Sequence, residues 1–117
     1  MRKLCAVIIA LILCAPNIGE CAGILNTLKS GDIIGIIAPG TYAESSDLYR
    51  GIEVLRSHGY RVKVAPSSTA IYEHFAGTDR RRAEDINNMF RDDSVKAILC
   101  LKGGYGSART LDRLDYI

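Results

Sequence analysis

Two short apolar runs and one alternating run, separated by turns and helical patterns, constrain this chain more than any other feature. The first lies in GDIIGIIAPG, where Ile33 to Ala38 is apolar and Pro39-Gly40 closes the run. Such a run reads as a buried strand followed by a turn. From Asp47 to His58 the apolar residues Leu48, Ile52 and Leu55 fall at i, i+4 and i+7, one face of a helix. Ser45 or Ser46 is expected to cap its start and Gly59 to end it. Tyr60 to Ala65 (YRVKVA) alternates, which predicts a second, less buried strand. Pro66 to Gly77 shows no period and holds His74 and Phe75. Thr78 or Asp79 is placed to cap a second helix through Phe90, with Ala83, Ile86 and Phe90 on one face. Asp92-Asp93 marks a turn, and Val95 to Leu101 (VKAILCL) reads as a third strand. A glycine-rich loop follows, and Ser107 to Leu114 begins a third helix. This β-α-β-α-β-α order predicts an α/β fold: a parallel sheet with helices on both faces. Ligands bind such sheets beyond the carboxyl ends of the strands. Pro39-Gly40-Thr41 and Lys102 to Ser107 both lie there.

The 117 residues allow one modest core. A net charge of +2 is too small to argue for a nucleic-acid partner. The basic run Arg80 to Arg82 is followed by Glu84 and Asp85, so it reads as a solvated helix face. Ahead of the fold, Arg2 and Lys3 precede the unbroken apolar stretch Leu4 to Ala15, which Pro16 ends. Those 12 residues fit a signal-peptide core and fall short of the ~20 a spanning helix needs. Residues 1–22 are therefore expected to be a signal peptide, which implies export to the periplasm or cell envelope and no stable membrane span. If the leader is not used, the protein stays in the cytoplasm. Cys5 and Cys14 lie in that stretch and Cys21 at its cleavage zone, leaving Cys100 in an apolar strand pattern as a small hydrophobe. No CxxC or Cys/His cluster exists, so neither a metal site nor a cofactor is expected.

The chemistry-bearing stretch is KGGYGSAR, Lys102 to Arg109. Its glycines permit a tight turn and leave backbone N–H groups open to a pyrophosphate, a phosphate or an oxyanion. The dinucleotide pattern G-x-G-x-x-G fails, because Arg109 stands at the third glycine. The phosphate loop fails too, since Lys102 precedes the glycines. A nucleophile elbow G-x-S-x-G around Ser107 would need glycines where Tyr105 and Arg109 stand. Ser107 at a strand-to-helix turn reads as an N-cap instead. His58 falls at a helix C-terminus, where the dipole favours it as a surface residue. His74 stays open.

The stretch EHFAGTDRRRAEDINNMFRDDSVKAILCLKGGYGSARTLDRLDYI resembles the N-terminal domain of the LD-carboxypeptidases, serine peptidases that include microcin self-immunity proteins. The pieces are FAGTD with Arg82 and its acidic helix, the aspartate turn, KGGYG, Arg109 and the LDY of Leu114 to Tyr116; GDIIGIIAPG is similar to the family's first strand. The resemblance implies that residues 23–117 form this domain, with a flavodoxin-like or glutamine-amidotransferase-like fold. It implies removal of the terminal D-alanine from murein tetrapeptides, hence a muropeptide or small peptide as partner; a homodimer stays open. It implies that the nucleophilic serine (in a G-[YH]-S-D segment), the glutamate and the histidine fall beyond Ile117, so that no catalytic residue lies within the chain. What maps onto this sequence is the oxyanion-hole and substrate-binding loop: Gly103, Gly104, Tyr105 and Gly106, with the Gly104 N–H as one donor. Truncation and inactivity of the domain alone follow as expectations. Two other readings stand beside it: a muropeptide-binding module without catalysis, and an unrelated nucleotide-binding α/β domain.

Overall fold

The computed structural model describes residues 27–116. The signal peptide expected over residues 1–22, with Cys5, Cys14 and Cys21, lies outside the described residues.

Three parallel strands form one sheet: β1 (Ile33–Ile37), β2 (Arg61–Val64) and β3 (Val95–Cys100), in spatial order β2-β1-β3. Ile34 of the central strand pairs with Val62 on one side and Ala97 on the other. The helix α1 (Ser45–Ser57) links β1 to β2, and α2 (Asp79–Arg91) links the next segment to β3. Short 3-10 helices span Pro66–Thr69 and Tyr105–Arg113. The crossovers β1 to β2 and β2 to β3 run across the sheet in opposite directions, so right-handed connections put α1 and α2 on opposite faces. Side chains on β3 agree: Ile98 joins the cluster of Ile37, Ala65, Ile86 and Met89, while Leu99 and Leu101 line a hollow with Val54 and Leu55 of α1.

The central strand is buried along Ile34 to Ile37 because both its faces are covered, as expected of a parallel sheet. Gly35 serves that packing. A Cβ there would sit 2.7 Å from the Met89 sulfur, so the glycine lets α2 approach β1. The alternation expected of β2 is present, with Arg61 and Lys63 exposed and Val62 and Val64 half-buried.

Four local expectations are corrected. Neither Ser45 nor Ser46 caps α1: Glu44 holds the N-cap position, and no side chain bonds to the free N–H groups. Thr78 does cap α2, its hydroxyl accepting from the Arg81 N–H at 3.3 Å. On α2 the buried face is Arg82, Ala83, Asp85, Ile86 and Met89; Phe90 turns out to solvent, 76% exposed. Met89, three residues past Ile86, takes the inward place. Cys100 is not buried as a small hydrophobe, because among the described residues β3 lies at the edge of the sheet and its last residues are exposed. Finally, Ser107 is not an N-cap. The closing helix is 3-10 and starts at Tyr105 with Gly104 in the cap position, so Ser107 already lies inside it.

Candidate functional site

Strand order reverses at β1, and the loops after β1 and β3 leave towards opposite faces of the sheet. That is where open α/β sheets form a crevice. The two loops meet there. Pairing of β1 with β3 extends past the strands through the Leu101 N–H to the Ile37 carbonyl at 2.8 Å. Thr41 then donates its N–H to the Gly103 carbonyl at 3.2 Å. Gly40 lies so close to this loop that a Cβ would be 2.9 Å from the Gly103 carbonyl. Backbone cannot yield as a side chain can, so the position requires glycine.

Gly104 has φ 137°, a conformation that favours glycine, and a Cβ there would fall 2.5 Å from Thr41 Oγ1. Three of the loop's carbonyls are engaged. Gly103 accepts from Thr41, Gly104 from the Ser107 N–H at 3.1 Å, and Gly106 from Arg82 Nη1 at 2.8 Å. The Gly104 N–H has no acceptor among the described residues.

Arg82 lies behind this loop, 1% exposed, inside the run expected to be solvated. Its Nη1 donates to the Pro39 carbonyl at 2.6 Å as well as to Gly106, so one nitrogen bridges both loops. Its Nη2 pairs with Asp79, the first residue of α2. Arg109 Nε donates to the other Asp79 oxygen at 2.9 Å. Both guanidinium groups lie over the Phe75 ring, 4.9 Å and 5.1 Å from its centroid, and Tyr105 meets that ring edge-on at 5.4 Å. Burial pushes the Asp79 carboxyl up. The hydrogen bond and charge of Arg109, with those of Arg82, outweigh it and hold the pKa below the ordinary value.

Phe75 is placed by the segment that showed no sequence period. Tyr72 and Phe75 exchange both backbone hydrogen bonds, 2.8 and 2.9 Å, around a turn at Glu73 and His74. Thr41 bridges to Phe75, and Ala76 donates to the Gly40 carbonyl at 3.0 Å. The FAGTD segment thereby leans on the β1 loop.

Of the expected site residues, Gly103, Gly104, Tyr105 and Gly106 lie at the carboxyl end of β3, against the loop after β1. The histidines do not join them. His58 is exposed at the C-terminus of α1, at the amino end of the sheet, with Nδ1 2.8 Å from the Val54 carbonyl. His74 is exposed at the tip of its turn. Arg82, Asp79 and Phe75 were missed as site residues. The available signal was spacing: Arg82, Ile86 and Met89 share one helical stripe, so a charge stood in an apolar row. Among the described residues no group of three or more His, Cys, Asp or Glu is placed to hold a metal ion. No helix among them is long and apolar enough to cross a membrane.

Residues 34–117 match the family model described as the LD-carboxypeptidase N-terminal domain. The chain belongs to the LD-carboxypeptidase family. It is 36% identical over 89 residues to the "Probable murein peptide carboxypeptidase" of Bacillus subtilis strain 168, covering 76% of this chain and 28% of that protein. Among solved structures, a muramoyltetrapeptide carboxypeptidase from Oxalobacter formigenes superposes with a TM-score of 0.65 at 41% identity, over 71% of this chain and 28% of that one. The microcin C7 self-immunity protein MccF superposes with a TM-score of 0.71 at 25% identity, over 75% of this chain and 27% of that one. The chain thus spans a little over a quarter of the length of the LD-carboxypeptidase relatives it matches. This membership displaces the reading as an unrelated nucleotide-binding domain.

Proposed function

We propose that this domain supplies the oxyanion-hole loop of a serine carboxypeptidase that removes the terminal D-alanine from murein tetrapeptides. One observation supports the reading: the Gly104 N–H has no acceptor among the described residues, in a loop whose Gly103, Gly104 and Gly106 carbonyls are held, beyond the carboxyl ends of β1 and β3. When a serine attacks the carbonyl between the L-centre and D-alanine, negative charge gathers on the carbonyl oxygen. A donor already aimed at that oxygen need not reorganise as the charge grows. Gly104 is that donor, and Gly103, Tyr105 and Gly106 shape the loop around it. The family's serine, glutamate and histidine have no counterpart assigned within the 117 residues. Residues outside them would supply the nucleophile, its base and the second donor, so the domain alone is inactive. The apolar leader would carry the protein to the cell envelope.

The test joins the chain to the portion of the Bacillus subtilis relative that follows the matched region. D-alanine release from a murein tetrapeptide is then measured. The fusion should release it and the chain alone should not. Gly104→Pro removes the N–H and should lower turnover by about 10²–10³ with KM little changed. D-alanine release by the chain alone, abolished by Ser107→Ala, would overturn this division of labour.

A further inference from the structure

We infer that Arg82 is a positioning residue for the Gly104 donor: its buried guanidinium locks together the two loops between which that N–H is aimed. The inference rests on the oxyanion role proposed for Gly104.

The geometry is specific. A single nitrogen, Nη1, reaches the Pro39 carbonyl at 2.6 Å and the Gly106 carbonyl at 2.8 Å. Pro39 precedes Gly40 and Thr41, the residues that touch Gly103 and Gly104 from the β1 side. Gly106 follows the donor by two residues and is the third residue of the turn in which the Ser107 N–H returns to the Gly104 carbonyl. Both walls around Gly104 are therefore tied to one side chain. The fork is held in turn by Asp79 through Nη2 and by the Phe75 ring at 4.9 Å. Gly106 has to be glycine for the same reason, since a Cβ would lie 2.9 Å from Nη1 and 2.6 Å from the Phe75 ring.

Stability alone is a weak reason for this arrangement. Burying a guanidinium is costly, and here Nε is left without a hydrogen-bond partner among the described residues. What the guanidinium does that an apolar side chain cannot is donate to two carbonyls of different loops in a fixed plane. A lysine carries the charge but not the planar fork.

Amide hydrogen exchange on the full 117-residue chain tests the lock without substrate. Three bonded amides report on the loops: Thr41, Ala76 and Ser107; the Ile34 to Ile36 amides report on the sheet. In Arg82→Lys the loop amides should exchange at least tenfold faster while the sheet amides stay within about twofold. Asp79→Asn, which keeps the guanidinium but frees it from its carboxylate, should speed the same three amides by a smaller factor. If Arg82→Lys does not fold, the Asp79→Asn contrast decides. Equal acceleration of loop and sheet amides, or none, overturns the inference and leaves Arg82 as an ordinary core residue. In the fusion, Arg82→Lys should lower kcat at least tenfold with KM within about twofold. A rise in KM at unchanged kcat would also overturn it. A wild-type fusion without turnover would count against the carboxypeptidase reading, while the exchange contrast would still decide the lock.

Discussion

Helix α2 has an aspartate at each end, and the two ends do different work. Asp79 at the start pairs with Arg82 and Arg109. Asp92, just past the end, pairs with Lys63 and accepts from the Ser94 N–H at 2.9 Å and the Ser94 hydroxyl at 2.6 Å. Both carboxyls are held below the ordinary range, Asp92 first by its bond to Lys63 and then by Ser94. The difference lies in the partners. Lys63 of β2 is half exposed and has no other acceptor among the described residues, so the Asp92 end ties only the turn into β3 to β2. Arg82 is buried and has donors to spare, so the Asp79 end joins three chain segments. An ion pair organises a site when one partner is buried and spends its remaining donors on other segments.

The sharpest way to break this contrast is Arg82→Met. It leaves the buried Pro39 and Gly106 carbonyls without their donor and should cost about 3–5 kcal/mol in urea unfolding. Asp92→Asn, read in the same assay, should move the midpoint far less, because its partners stay solvated. Equal effects would erase the distinction between the two ends.

Next in size is Gly106→Ala. The added methyl must displace the Phe75 ring or Arg82 Nη1, neither of which has room to retreat. We expect a loss of about 2 kcal/mol by thermal or urea unfolding, typical of overpacking. Gly103→Ala meets nothing within 4 Å and is the matched control.

Acid separates the two ends more gently. Both folded pKa values lie below the unfolded value of about 4, so the stability they contribute is complete above that pH. It is lost as pH falls through the folded values. Unfolding midpoints should therefore be flat above about pH 5 and fall below about pH 4. Asp79→Asn and Asp92→Asn should each flatten the acid limb, but only Asp79→Asn should also loosen the Thr41 and Ser107 amides at neutral pH.

Much of this molecule was legible in its residues. The apolar runs at Ile33 and Val95 and the helical spacing from Leu48 placed the sheet and α1, because short-range periodicity follows from strand and helix geometry. KGGYG and FAGTD marked the site through resemblance. Contacts distant in sequence were not legible. Nothing local shows that Gly40 must abut Gly103, or that the guanidinium of Arg82 lies under Gly106. Arg82 was misread because its neighbours Arg80 and Arg81 are exposed, and a run of charges reads as solvated. Phe90 was misread because spacing of four from Ile86 fits a helical stripe as well as the spacing of three that places Met89. Ser107 was misread because the cap position depends on where the closing helix starts, and Gly104 sets that start through its backbone.

Ser107 also provides the smallest expected effect. A serine just after a glycine loop invites either of two roles, cap or nucleophile, and the structure offers it neither bond. Its N–H donates to the Gly104 carbonyl and its carbonyl accepts from Thr110 Oγ1 at 2.7 Å. Both contacts use backbone and survive in Ser107→Ala. No hydrogen bond of the Ser107 hydroxyl is found among the described residues, and both histidines are exposed elsewhere. Ser107→Ala should change unfolding free energy by no more than about 0.5 kcal/mol. In the fusion it should leave D-alanine release within about twofold of wild type, where Gly104→Pro costs about 10²–10³. The comparison is decisive because the two residues are three apart in one loop and share a hydrogen bond. A variant that merely disturbed the loop would affect both, whereas loss of release in Ser107→Ala with Gly104→Pro still active would exchange their roles and make the hydroxyl, not the amide, the group that meets the substrate.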